Sequence, residues 1–238
     1  MAGVAALVGV AGGAIGTRAV AEQAGAPVAG KAAIEAIVHD YILAHPEIIP
    51  EAMQKLQARE NAKAIDADRM ALQKPFGSAW AGSQSPKVTL VMFSDYSCGY
   101  CRASLPDVAR LLAENPDLKV VWREIPVLGP DSVAAARVAL AVAKDGDRYL
   151  PFHKGLFQAG RPDKATIAKV ASAVGLDAGK LAGEGKGDDI SAEIASNMAL
   201  AGRLGVSGTP AFVVGDEFLS GAVGYDALAK AVADARKS

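Results

Sequence analysis

The stretch Val88-Thr-Leu-Val-Met-Phe-Ser-Asp-Tyr-Ser-Cys-Gly-Tyr-Cys101 decides how this chain is read. Val88 to Phe93 is β-branched and apolar, the pattern of a buried strand. Ser94-Asp95-Tyr96-Ser97 breaks it with turn and N-cap residues. Cys98 and Cys101 follow as C-x-x-C, and Leu105, Val108, Ala109, Leu111 and Leu112 then supply the apolar stripe of a helix. A cysteine in the first turn of a helix meets unpaired N–H groups and a partial positive charge, which favour the thiolate. Cys98 is therefore the expected nucleophile, and Cys101, on the same face, the resolving thiol. Three other readings stand beside this one. A structural disulfide would close almost no loop and stabilise little. Half a zinc site would need further ligands, and no other cysteine exists; His39, His45 and His153 show no ligand spacing, so no metal is expected. Two inert thiols would leave the strand and helix flanks unexplained.

Working outward, a second signature is Gly205-Val-Ser-Gly-Thr-Pro-Ala-Phe-Val-Val214. With Phe93-Ser-Asp-Tyr-Ser-Cys-Gly-Tyr-Cys101, it resembles the active site of the DsbA-like branch of the thioredoxin superfamily. The resemblance covers Lys74 to Ser238, and the helical segment before it resembles the N-terminal extension of ScsC-type proteins. It implies a cis peptide at Thr209-Pro210, a loop facing the cysteine pair, and an extended polypeptide substrate paired by β-augmentation. Thr209, Pro210, Gly99 and Tyr100 are then the substrate-binding residues. Asp95 is a candidate proton relay, or equally a cap of the helix start. Strongly oxidising members carry Pro-His between the cysteines, whereas this chain carries Gly99-Tyr100. Tyr100 supplies no positive charge, so a strongly oxidising potential is not expected. His153, beside Phe152 and Leu156 with no acid partner in view, reads as a packed residue rather than a catalyst.

The rest of the chain fits around these motifs. It has 238 residues, 51% of them hydrophobic, and a net charge of −1. That is ample for a core and gives no sign of a nucleic-acid surface. Met1 to Thr17 carries no charged side chain and reads as an export signal or an N-terminal anchor; Ala21 to Gly30 reads as a flexible start. Residues 31–73 read as a helical arm. Ile34, Ile37, Val38, Tyr41 and Ile42 mark one helix, and Ile48, Ile49, Ala52, Met53 and Leu56 begin a second that then turns mostly polar. Such a helix has little to bury on its own domain, so it either lies across the catalytic domain's surface as a structural arm or pairs with copies of itself through its apolar part. Ser78 to Trp80 suggests a short edge strand. Leu118 to Ile125 alternates as a strand and should lie parallel to Val88–Phe93. The helical stretches from about 131 to 204 exceed what a thioredoxin unit needs. The resemblance makes them an inserted helical subdomain over the active-site side.

The fold expected is α/β: a thioredoxin-like domain over 74–238 with that insertion, preceded by the arm at 31–73 and by the signal or anchor and flexible segment at 1–30. The function expected is an exported, periplasmic thiol–disulfide oxidoreductase or isomerase, with the Cys98–Cys101 disulfide in place of a cofactor. Its partners would be unfolded or misoxidised exported proteins, a membrane redox partner, and further copies of itself through 31–73. The alternatives are a monomeric DsbA-type oxidase and, from another class, a non-catalytic chaperone or binding module with a static disulfide.

Overall fold

A computed structural model describes residues 30–237. The export segment and most of the flexible start expected at 1–30 lie outside the described residues. The chain divides into two compact units, one reaching to Pro50 and one beginning at Glu51.

In the first unit α1 spans Lys31–Ala44, and the chain then turns at His45-Pro46 into the start of α2, Ile48–Gln73, most of which belongs to the second unit. Pro46 disfavours helical backbone at His45, which explains the break. No residue of α1 is buried; Ile34, Ile37, Val38, Tyr41 and Leu43 are all exposed.

The second unit is a five-stranded mixed sheet with helices on both faces. Its strands are β1 (Trp80–Gly82), β2 (Val88–Ser94), β3 (Leu118–Glu124), β4 (Ala211–Val214) and β5 (Glu217–Ser220), in the order β1-β3-β2-β4-β5. β2 and β3 are parallel, Val88 opposite Leu118 through Ser94 opposite Glu124, while every other pairing is antiparallel. β2 is buried along its whole length, because each face of the sheet meets its own core. Leu90, Met92, Val120, Trp122 and Phe212 point into one core, Val91, Phe93, Val121 and Val213 into the other. The alternation expected in β3 therefore sorts residues between two cores rather than between core and water.

The helices are α3 (Gly99–Glu114), α4 (Pro130–Ala143), α5 (Tyr149–Ala159), α6 (Lys164–Ala173), α7 (Ala178–Glu184), α8 (Asp188–Arg203) and α9 (Tyr225–Ala235). α4 to α8 fill the span expected for the insertion. The edge strand begins two residues later than Ser78, because both the N–H and the hydroxyl of Ser78 are taken by the carbonyl of Ala143. Gly77 beside it has φ +51°, and a Cβ there would lie 2.2 Å from the same carbonyl oxygen, so this corner requires glycine.

The expectation for the second half of α2 needs correcting. Ile65 and Leu72, two turns apart on one face, are 1% exposed and pack with Leu200 and Ala201 of α8, and with Leu204 just after it, on the second face of the sheet. The polar run Gln57–Arg69 hid this stripe, since alanines and two large apolar residues suffice to make it. The buried guanidinium of Arg123 on β3 then donates to the carbonyls of Ala71, Leu72 and Lys74 at the end of α2. It thereby satisfies acceptors that a helix end leaves open. The last turns of α2 belong to the core that supports the cysteine-bearing strand, not to a free arm.

Candidate active site

β2 delivers the chain to Ser94, and the turn Asp95-Tyr96-Ser97 leads into α3 with Cys98 as its N-cap. The Cys98 N–H donates to the Asp95 carbonyl at 3.0 Å. The Cys98 sulfur accepts from the Cys101 N–H at 3.3 Å, so a helix-terminal donor already points at it. Its thiol lies 3.2 Å from the carbonyl oxygen of Thr209, to which it donates. The Thr209-Pro210 peptide is cis, and Gly221 N–H holds the Pro210 carbonyl at 2.8 Å. The expected pair and the expected loop therefore meet at one sulfur.

The two cysteines differ in surroundings. Cys98 is 6% exposed and Cys101 fully buried. Burial raises the Cys101 pKa above the ordinary thiol value, outweighing the hydrogen bonds from the Asp95 backbone and Thr209 that lower it. Gly99 and Tyr100 between them face solvent, Tyr100 at 71%.

Asp95 lies within this constellation, and its carboxylate is held by four donors, none of them a thiol. Oδ1 accepts from Ser97 N–H at 2.8 Å and from the Ser132 hydroxyl at 2.6 Å. Oδ2 accepts from the N–H groups of Val127 and Leu128 at 2.8 and 2.9 Å. The carboxylate thus ties the active-site turn to the loop after β3 and to the first turn of α4.

His153 is packed, as expected, yet it does have an acid partner. Glu124 Oε1 lies 3.8 Å from its Nδ1, and the hydroxyls of Tyr96 and Tyr149 donate to that same oxygen at 2.9 and 2.6 Å. Both tyrosine oxygens also approach His153 Nδ1, at 2.8 and 3.2 Å. Since each hydroxyl proton is spent on Glu124, the imidazole proton belongs on Nδ1. Burial first, and the Glu124 charge second, hold both tyrosine pKa values well above their usual range. The network ties the active-site turn, through Tyr96, to the end of β3 and to α5. The signal for it in the sequence was a glutamate inside an apolar strand. Among the described residues no cluster of side chains is arranged to hold a metal ion.

A family model described as DSBA-like thioredoxin domain matches residues 89–233, and one described as Copper resistance protein ScsC N-terminal domain matches residues 31–63. Among solved structures, a thioredoxin-like oxidoreductase from Silicibacter pomeroyi DSS-3 is 38% identical, covering 71% of this chain and 98% of that one, with a TM-score of 0.68. A linker-deletion mutant of Proteus mirabilis ScsC is 30% identical over 90% of this chain and 98% of its own, at TM-score 0.68. A periplasmic thioredoxin-like protein from Salmonella enterica serovar Typhimurium is 32% identical over 71% and 96%, at 0.64. Among curated proteins, the Na(+)/H(+) antiporter NhaA 3 of Salinispora tropica is 28% identical over 156 residues, 65% of this chain. The chain spans 24% of that relative's length.

Proposed function

Because the chain belongs to the DSBA-like thioredoxin domain family, we propose that it exchanges protein disulfides through Cys98 and Cys101. The observation that carries this reading is the Cys98 sulfur itself. It sits at the start of α3, receives the Cys101 N–H, and lies against the carbonyl of Thr209 in the Thr209-Pro210 loop. The Cys98 thiolate attacks one sulfur of a substrate disulfide; the substrate S–S bond breaks and its other sulfur leaves as a thiolate that takes up a proton. The mixed disulfide then has two exits. Cys101, deprotonated, attacks the Cys98 sulfur, giving the Cys98–Cys101 disulfide and a reduced substrate. Alternatively a second substrate thiol attacks, and the substrate leaves with its disulfide re-paired. Run backwards through both steps, the Cys98–Cys101 disulfide oxidises a substrate dithiol: one substrate thiolate opens it to the mixed disulfide, and the second displaces Cys98. Thr209, Pro210, Gly99 and Tyr100 hold the substrate backbone beside the sulfur.

Isomerisation is favoured over one-way oxidation by the arm. Ile34, Ile37, Val38, Tyr41, Ile49, Met53 and Leu56 are all exposed. Burial of each such side chain is worth roughly 1.5–3 kcal/mol, so their exposure in water argues for cover by another copy of the chain. Several thiol pairs around one client suit repair of wrong pairings. The similarity to a periplasmic protein supports an exported setting, with unfolded or misoxidised exported proteins as clients and a membrane redox protein as electron partner. Among the described residues no helix is long and apolar enough to cross a membrane. The test is the equilibrium reduction potential of the cysteine pair in glutathione buffers, with turnover of scrambled and of reduced proteins. A potential in the isomerase range, about −180 mV, with turnover of scrambled protein supports the reading. A pair that never equilibrates supports a binding module with a static disulfide.

A further inference from the structure

We propose that Asp95 is a positioning residue for substrate binding: its carboxylate pins the Val127–Leu128 loop beside Cys98, and that loop grips the incoming polypeptide. The inference rests on the exchange reading of Cys98 given above.

The carboxylate is 1% exposed and takes four donors from three segments: Ser97 in the active-site turn, Val127 and Leu128 in the loop after β3, and Ser132 in the first turn of α4. The Ser132 and Ser97 hydroxyls also meet, at 2.8 Å. A carboxylate offers about four lone-pair sites, so none is left for a thiol proton. Only an ionised carboxylate can accept this many bonds; an amide in its place would turn a donor toward donors. The loop is thereby held inside out. Its N–H groups are bound to Asp95, while Val127 and Leu128 are 48% and 53% exposed. Leu128 and Pro130 line a cavity of about 630 Å³ with Ser97, Arg102 and Arg161, so the loop forms one wall of a cleft that ends at the neighbour of Cys98. Arg102 is occupied by the carbonyls of Phe157 and Gly160, and Arg161 by Asp131, so the cleft has a polar side that is already paired and an apolar side formed by Leu128, Pro130 and Pro162. The occupant that fits is an unfolded segment with an apolar side chain close to its cysteine. Chains of that kind expose apolar groups, and the cleft adjoins the sulfur they must reach.

The experiment compares two disulfides on the full-length protein. Hydroxyethyl disulfide reads sulfur chemistry without filling the cleft, and a scrambled protein reads both. In Asp95→Asn and Asp95→Ala the KM for scrambled protein should rise about tenfold, the scale of losing one buried apolar contact, with a much smaller change in kcat. The pH profile with hydroxyethyl disulfide should keep its wild-type midpoint. The double variant Val127→Ser, Leu128→Ser leaves the anchor intact and alters only exposed side chains, so it carries the test if the Asp95 variants do not fold; it should raise KM similarly. A shifted pH profile, with both disulfides slowed in step in the Asp95 variants, would make Asp95 a relay and overturn the proposal. So would a loop variant with the wild-type KM while the wild type reacts normally. A wild type that reacts with neither disulfide overturns the exchange reading and this inference with it.

Discussion

Cys98 and Cys101 are three residues apart yet differently placed, and the proposed roles rest on that difference. Cys98 caps α3 and is 6% exposed there, while full burial raises the Cys101 thiol pKa. Cys98→Ser should abolish exchange, whereas Cys101→Ser should accumulate mixed disulfides on Cys98, visible as adducts by mass spectrometry of the intact protein. Alkylation at mildly acidic pH that labelled Cys101 first would reverse the assignment. The raised pKa of Cys101 also has a stability consequence. A thiol that binds its proton more tightly when folded contributes stability that is complete below its unfolded pKa, ordinarily 9.0, and lost as pH rises beyond it. Denaturation of the reduced protein should therefore show stability falling above about pH 9, and Cys101→Ser should flatten that fall. Comparing the two separates Cys101 from Tyr96 and Tyr149, whose raised pKa values act in the same direction higher up. The cysteine pair was legible in the sequence because its chemistry is local: strand, turn, C-x-x-C, helix. The work of Asp95 was not, since its partners lie 2, 32, 33 and 37 residues away and three of them are backbone N–H groups with no residue-type signature.

At the scale of elements, β3 carries most of what pattern reading leaves out. Its alternation was visible, but Arg123 and Glu124 are 3% and 0% exposed, one serving each core. Arg123 closes α2 and pairs with Glu193 of α8 at 2.8 Å, so it joins two helices to one strand. Arg123→Met should cost about 3–5 kcal/mol in denaturant unfolding, because it strands Glu193 and several helix-end carbonyls together. Glu124 joins β3 to α5 and to the active-site turn. Tyr149→Phe removes one of the two hydroxyls donating to its carboxylate and should cost about 1–3 kcal/mol. In both cases the sequence shows a charge in a strand but not which distant element neutralises it. That depends on the packing of α2, α5 and α8, which only the folded sheet brings together.

At the scale of the whole molecule, the arm was legible as helical but not in where it stops being an arm. Ile34 to Leu56 gave a plain apolar face; Ile65 and Leu72 alone did not announce a core stripe amid charged neighbours. Truncation separates the two parts. A chain beginning at Glu51 should fold, exchange thiols and run as a monomer in light scattering, because the core residues of α2 remain. A chain beginning at Lys74 should lose stability, since Ile65, Leu72 and the carbonyls held by Arg123 are gone. If the intact protein is itself monomeric at micromolar concentration, the arm does not assemble copies, and repair by several thiol pairs on one client is excluded. The central claim, that this chain is a working exchange enzyme, is tested most directly by multiple-turnover kinetics on a scrambled-disulfide protein in glutathione buffer. The expected result is many substrate molecules re-paired per chain by the wild type and none by Cys98→Ser. Equal, background rates for the two would contradict it.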